Sequence, residues 1–243
     1  MLDKNNIFIQ SQNLQTQSIP TQAITGARQE FMSRVYAWMV SGLLITGFVA
    51  WWVFDSGLWM LIASNSIILI GLVISELVLV YQISARIESI SRTTASGAFI
   101  LYAILNGLVL SSILVVYTAE SIQQVFFIAA SMFAALSVYG WVTKRDLSGI
   151  RSFMIMGLIG IIMVGIFNVF VQSSALSFGI SVLGVFIFSG LTVYDTQKLK
   201  DLWIDQSENN EMASKGAILG ALMLYLDFVN LFLFLLRLLG RRD

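Results

Sequence analysis

Seven stretches of this chain are long and apolar enough to cross a lipid bilayer, and that leaves few folds open to it. A helix needs roughly 20 mostly apolar residues to span the hydrocarbon core. Such runs occupy about 31–54, 58–81, 95–117, 122–143, 151–172, 175–199 and 214–239. Short polar or charged breaks separate them, among them Asp55-Ser56-Gly57, Arg86-Ile87-Glu88 and Lys144-Arg145-Asp146. In lipid every backbone polar group must be paired within its own segment, so the runs are expected to be helices rather than open strands. The expected fold class is an all-α membrane protein with seven transmembrane helices over residues 31–239. A polar, flexible tail is expected over 1–30 and a short C-terminal tail over 240–243. Residues 1–30 do not read as a signal peptide, because Asn5 to Thr25 is rich in Gln, Asn, Ser and Thr without a continuous apolar core.

Composition excludes several classes of function. Charged residues make up 12% of the chain, too few to keep a domain of this size in water. The net charge is zero, which gives a nucleic-acid partner no electrostatic support. There is no Cys and no His, so disulfides, thiolate or imidazole metal sites and imidazole-dependent triads are absent. Pro20 is the only proline, and no span is kinked by one. Glycines scattered through the runs read as close helix packing.

Basic residues alternate between the connections. Lys4, Arg28 and Arg34 precede or open the first run; Arg86 and Arg92, then Lys144, Arg145 and Arg151, then Lys198, Lys200 and Lys215 mark the second, fourth and sixth loops. The first, third and fifth loops carry no Lys or Arg. By the positive-inside rule the N-terminus is cytoplasmic. Seven crossings then carry Arg237, Arg241 and Arg242 to the far side, against the rule. The last run either crosses fully, which its length favours, or re-enters and returns.

Ionisable groups inside apolar runs are costly and by default mark function. Glu76 lies late in the second run, Asp195 late in the sixth, and Asp227 near the middle of the seventh. At 100° per residue, Asp227, Asn230, Phe234 and Arg237 share a helix face roughly 80° wide, expected to point into the bundle. The competing reading is a buried structural network, or local pairing near the surface for Glu76 and Asp195. If the sixth helix runs on to Trp203, Asp195 lies about 12 Å from its end, and Asp227 lies about 18 Å from Lys215. Helix tilt would bring the two together. Carboxylates in contact cannot both ionise cheaply, so the pair is expected to share a proton.

Several motifs are familiar together: Ser75-Glu76 to Arg86, Tyr102-Ala-Ile-Leu-Asn-Gly107, Tyr139-Gly-Trp-Val-Thr-Lys-Arg-Asp-Leu-Ser148, Gly190-Leu-Thr-Val-Tyr-Asp-Thr-Gln197 and Leu224-Tyr-Leu-Asp-Phe-Val-Asn-Leu-Phe232. Over about residues 28–240 the chain resembles the Bax inhibitor-1 family of transmembrane proteins in a bacterial form. The resemblance implies seven helices with the last one central. It implies a pH-sensitive calcium leak channel, multi-pass in a bacterial inner membrane, in which Asp195 and Asp227 form the paired sensor. It also implies a basic latch at the end of the second helix. Arg86 is the best match for that latch, with Arg92 the alternative. Glu76 matches an acidic family position.

Calcium prefers oxygen ligands in flexible coordination, and a leak path needs weak binding. Asp195 and Asp227 are the expected transient ligands, with Glu76 and Asn230 along the ion path. Calcium is then cargo and no cofactor is expected; the partners are the bilayer, calcium ions and other membrane proteins, not nucleic acid. Two other readings compete. One is an interaction protein that regulates a membrane protease or a stress or cell-death pathway. The other is an intramembrane aspartyl protease, which the Tyr225-Leu226 preceding Asp227 and the lack of a following proline motif disfavour. The chain is not expected to be an enzyme.

Overall fold

The computed structural model describes residues 21–206 and 210–242. It contains α1 (Thr21–Asp55), α2 (Trp59–Ser64), α3 (Ser66–Arg86), α4 (Arg92–Leu110), α5 (Ile113–Val116), α6 (Ala119–Val142), α7 (Ser148–Val171), α8 (Ser174–Gln206) and α9 (Asn210–Leu239). Seven spans are long and apolar enough to cross a membrane: α1, α3, α4 continued through α5, α6, α7, α8 and α9. The expected all-α membrane fold is what the chain adopts. Among the described residues the one extended pairing is an isolated antiparallel bridge between Tyr117 and Arg242.

Of the boundaries that differ from the sequence reading, three have a visible local cause. α1 begins at Thr21, so residues 21–30 are helical rather than tail; residues 1–20, with Lys4, lie outside the described residues. The apolar faces of Phe31, Met32 and Val35 are buried and hold this end of the helix down. The second run does not start as one helix at 58. Asn65 is extended (φ −123°, ψ 98°), and its side chain accepts from the Ile67 and Ile68 amides, so α2 stops and α3 starts afresh. A side chain that satisfies the orphan amides of a new first turn makes that break cheap. The third run is likewise interrupted at Ser111 and Ser112, whose hydroxyls turn back onto the Leu108 and Val109 carbonyls.

α9 is the centre of the bundle. Of its most apolar stretch 61% is buried inside the protein, against 39% or less for any other span. It packs on α1, α3, α4, α6 and α8, so five of the other six spans touch it closely. α7 packs on α8 instead, and a cavity separates it from α9. The outer spans are dressed for lipid: Phe153 and Phe170 on α7 are 71% and 83% exposed. Tyr225 on α9 is fully buried and meets the rings of Phe99 and Tyr102 edge-on at 6.0 and 5.6 Å.

The two ends of α9 settle whether it crosses. Near its start, Lys215 is buried and donates from Nζ to the carbonyls of Glu88 and Ile90, both at 3.1 Å, in the second loop. After its end, the Arg241 amide donates to Ser121 Oγ at 2.9 Å and the Thr118 amide donates to the Arg241 carbonyl at 3.2 Å, in the third loop. Thirty residues of α-helix run about 45 Å. The last helix therefore passes from one face of the bundle to the other and does not turn back. On the starting face, Lys200 of α8 donates to the Trp141 and Thr143 carbonyls, and Gln197 donates to Arg145 O at 2.8 Å, which ties the fourth loop to the sixth.

Glycine permits close helix contacts on both faces of α8. A Cβ at Gly140 of α6 would stand 2.4 Å from the Val193 carbonyl oxygen of α8. A Cβ at Gly184 of α8 would stand 2.6 Å from the ring of Phe234, which occupies the space the missing side chain leaves.

Candidate functional site

α8 and α9 bring the two sequence-selected aspartates together. Asp195 is half-buried and Asp227 is buried, at 4% exposure. Both line one cavity of about 510 Å³ between α7, α8 and α9, and Asp195 is the charged neighbour whose field reaches Asp227. The polar lining is limited to Asp195, Asp227, Asn230 and Arg237; the rest is apolar side chain, including Leu158, Leu191, Leu226 and Phe234, with Gly165. Oδ2 of Asp227 is buried and accepts no hydrogen bond. An unpartnered buried oxygen of this kind is costly and calls for an explanation beyond packing. Asn230 lies in the same cavity as its helix phase predicts; its Nδ2 donates to the Leu226 carbonyl at 2.8 Å, which leaves Oδ1 as the oxygen it can offer.

The cations acting on Asp195 are Lys198, on its own helix, and Arg151, on α7. The Arg151 guanidinium lies 5.6 Å from the centre of the Tyr194 ring, beside Asp195 in sequence. Arg86 and Arg92 are exposed at the end of α3 and the start of α4, and neither forms an ion pair among the described residues. In this conformation the position of the expected latch residue at the end of the second span is therefore disengaged from the aspartates. Outside the spans, Asp146 accepts from the Ser148 amide at 2.9 Å at the head of α7, which holds its carboxyl below the usual carboxylate range.

Glu76 is not in this cavity. It is half-buried on α3 beside Asn106, Tyr102 and Tyr225, on the opposite side of α9. Its Oε1 is also buried without a partner. Next to it runs a polar chain through three helices. Tyr225 OH donates to Asn106 Oδ1 at 3.2 Å and lies 2.6 Å from Thr46 Oγ1, which also reaches the Ala103 carbonyl at 2.8 Å. Asn106 Nδ2 donates to Tyr102 OH at 3.5 Å. Two residues along a helix are about 200° apart, so Tyr225 and Asp227 must serve different faces of α9.

The oxygens thus fall into two sets. Among the described residues no three Asp or Glu side chains converge as a metal cage would require. Asp195, Asp227 and Asn230 place two carboxylates and one amide on the wall of a single cavity.

The sequence pattern of the inhibitors of apoptosis-promoting Bax1 matches residues 28–243. The chain belongs to the Bax inhibitor-1 family. It is 48% identical over 217 residues to inner membrane protein YbhL of Escherichia coli (strain K12), covering 88% of this chain and 92% of that protein. An uncharacterized protein of Borreliella burgdorferi is 42% identical over 216 residues, covering 88% and 93%. An uncharacterized membrane protein of Streptococcus pyogenes serotype M3 is 37% identical over 228 residues, covering 93% and 98%.

Thr46 carries no signal in the sequence reading, and Tyr102, Asn106 and Tyr225 stand in its family motifs without a role, although a spacing of four puts Tyr102 and Asn106 on one helix face. The sequence reading also missed Arg151 and Lys198 as the cations acting on Asp195. The signal for these was weak, since basic residues at span ends are explained by orientation alone.

Proposed function

We propose that the chain is a proton-sensitive calcium leak channel of a bacterial inner membrane, with its N-terminus in the cytoplasm. The observation that carries this reading is the pairing of Asp195 and Asp227 in one cavity, with a buried Asp227 oxygen that no protein group satisfies. The name of the Escherichia coli relative favours the inner membrane. The alternation of basic loops favours a cytoplasmic N-terminus.

The pair couples proton and cation through charge. With one proton between them the two carboxylates carry a single negative charge, which Lys198 and Arg151 offset in part. Loss of that proton leaves two negative charges in apolar surroundings. Repulsion is then relieved by a cation entering the cavity, by separation of α8 and α9, or by approach of Arg86. Calcium supplies two positive charges and accepts Asp195, Asp227 and Asn230 oxygens without rigid geometry. The cavity reaches toward the far face through Gly165, Ile180 and Arg237, which also line the next cavity along α9. Phe234, stacked on Phe188 with centroids 5.8 Å apart, lines the aspartate cavity together with Arg237.

The test is calcium-dye flux into proteoliposomes across a pH series. Asp195→Asn and Asp227→Asn each remove the repulsion and the titration together, so each should flatten the pH response. Lys144→Gln and Glu120→Gln, outside the cavity, should leave it intact. If both aspartate variants fold and keep the wild-type pH profile, the paired sensor is wrong.

A further inference from the structure

The face of the bundle where α9 ends holds a feature that membrane orientation does not explain. Its loops carry no Lys or Arg, yet Arg237, Arg241 and Arg242 gather there. Two of the three line a cavity of about 430 Å³ between the end of α7, the start of α8 and the end of α9. The polar lining is Arg237, Arg242, Tyr117, Asn168, Ser174, Ser177 and Ser181, without a carboxylate. Among the described residues neither arginine has an ion-pair partner.

The arginines are held in place. Arg242 lies over the Tyr117 ring at 5.8 Å, and Arg237 lies over the Phe234 ring at 5.6 Å. Stacking engages the flat face of a guanidinium and leaves its in-plane N–H donors for a second partner. The backbone around Arg242 is pinned by its bridge to Tyr117 and by the Arg241 bonds to Ser121 and Thr118. Three of the neutral polar groups are used internally: Asn168 donates to Ser177 Oγ at 2.8 Å, Ser177 Oγ donates to the Ser173 carbonyl at 3.1 Å, and Ser181 Oγ donates to the Ser177 carbonyl at 2.8 Å. The charge open to a ligand in the cavity is therefore that of two cations, with the Ser174 and Tyr117 hydroxyls beside them. Its wall includes the outward-facing Phe178, 65% exposed on α8, and the neighbouring surface of α7 is apolar, with Val169, next to Asn168 in sequence, 69% exposed. A ligand with a phosphate and acyl chains matches both surfaces, since guanidinium binds phosphate oxygens bidentately while the chains lie along the apolar one.

We propose that Arg237 and Arg242 form a binding site for the headgroup of an anionic phospholipid at this face of the membrane. Orientation then disfavours basic residues here, and the ligand retains them. The site shares Arg237 with the aspartate cavity, but its test is independent of the leak reading, because it reads lipid retention and not flux.

Native mass spectrometry of the full chain in detergent, with phosphatidylglycerol and phosphatidylcholine offered separately, is the experiment. One phosphatidylglycerol should be retained in preference to phosphatidylcholine. Loss of one charge-assisted contact should lower that retention about tenfold in Arg237→Gln and in Arg242→Gln. Arg241→Gln should retain the lipid, because its side chain does not line the cavity. Arg237→Lys keeps the charge and should bind at an intermediate level, which separates lost binding from a folding defect. Equal loss in all three Arg→Gln variants would mean diffuse attraction and overturn the site, as would equal retention of phosphatidylcholine. A thermal shift with inorganic phosphate alone, without phosphatidylglycerol retention, would overturn the headgroup assignment in favour of a soluble anion.

Discussion

Replacing Gly140 with alanine puts a methyl group 2.4 Å from the Val193 carbonyl oxygen and 3.1 Å from Thr196 Cβ. Ordinary contact begins at 3.4 Å, so α6 and α8 must part by about 1 Å, the difference between 3.4 and 2.4. The obstacle is backbone, which cannot swing aside as a side chain does. Overpacking of this kind costs about 1–3 kcal/mol. Gly71 and Gly160 have nothing within 4 Å of an added Cβ. Alanine there should be neutral or stabilising by up to about 1 kcal/mol, from helix propensity alone. Thermal unfolding of the purified protein in one detergent should therefore order the variants clearly, with Gly140→Ala lowest and Gly71→Ala and Gly160→Ala at or above wild type. Val193 lies two residues before Asp195, so the same displacement should also shift the pH profile of calcium flux. If Gly140→Ala unfolds at or above the wild-type temperature, the α6–α8 contact is not as close as described and the reasoning fails.

Other outcomes follow from the same structure. A cytoplasmic reporter fused after Ser148 should be active, and reporters at Ser56 and after Asp243 should be silent; activity after Asp243 would contradict a crossing α9. Arg86→Ala should raise the basal leak if Arg86 closes the path in another conformation, and a rise in Arg92→Ala alone would move that role to Arg92. A double-mutant cycle between Thr46→Val and Tyr225→Phe should give a coupling of about 0.6–1.7 kcal/mol in unfolding, typical of hydrogen bonds between membrane helices. Zero coupling would mean the 2.6 Å contact contributes nothing.

Much of the fold was readable without coordinates because a bilayer imposes length and polarity directly on the chain. Seven runs of the right length gave seven spans, and the three carboxylates in those runs marked their buried or half-buried polar positions. What stayed hidden depends on the rotation of one helix against another. Asp227 and Asn230 share a face, and one chain's periodicity says so. That Glu76 serves the other side of α9 is a matter of where α3 packs, which its own residues do not encode. The interruption at Asn65 lies in a polar triplet, Ser64-Asn65-Ser66, which a membrane-spanning helix can also carry, so the triplet alone does not announce a new helix start. The start of α1 was placed too late because polar residues suggested a tail, although Gln, Ala, Arg and Glu are all good helix formers.

The central position of α9 has a consequence for assembly. The six other spans precede it in chain order, and they leave the ribosome first. Until α9 arrives, Phe99 lacks the ring of Tyr225, the Glu88 and Ile90 carbonyls lack Lys215, and Asp195 faces no second carboxylate. The earlier helices can insert one by one, but they surround a slot that stays unfilled. Completion of the bundle is therefore a late, single event, and a chain cut before Asn210 is left with insertion but without a core.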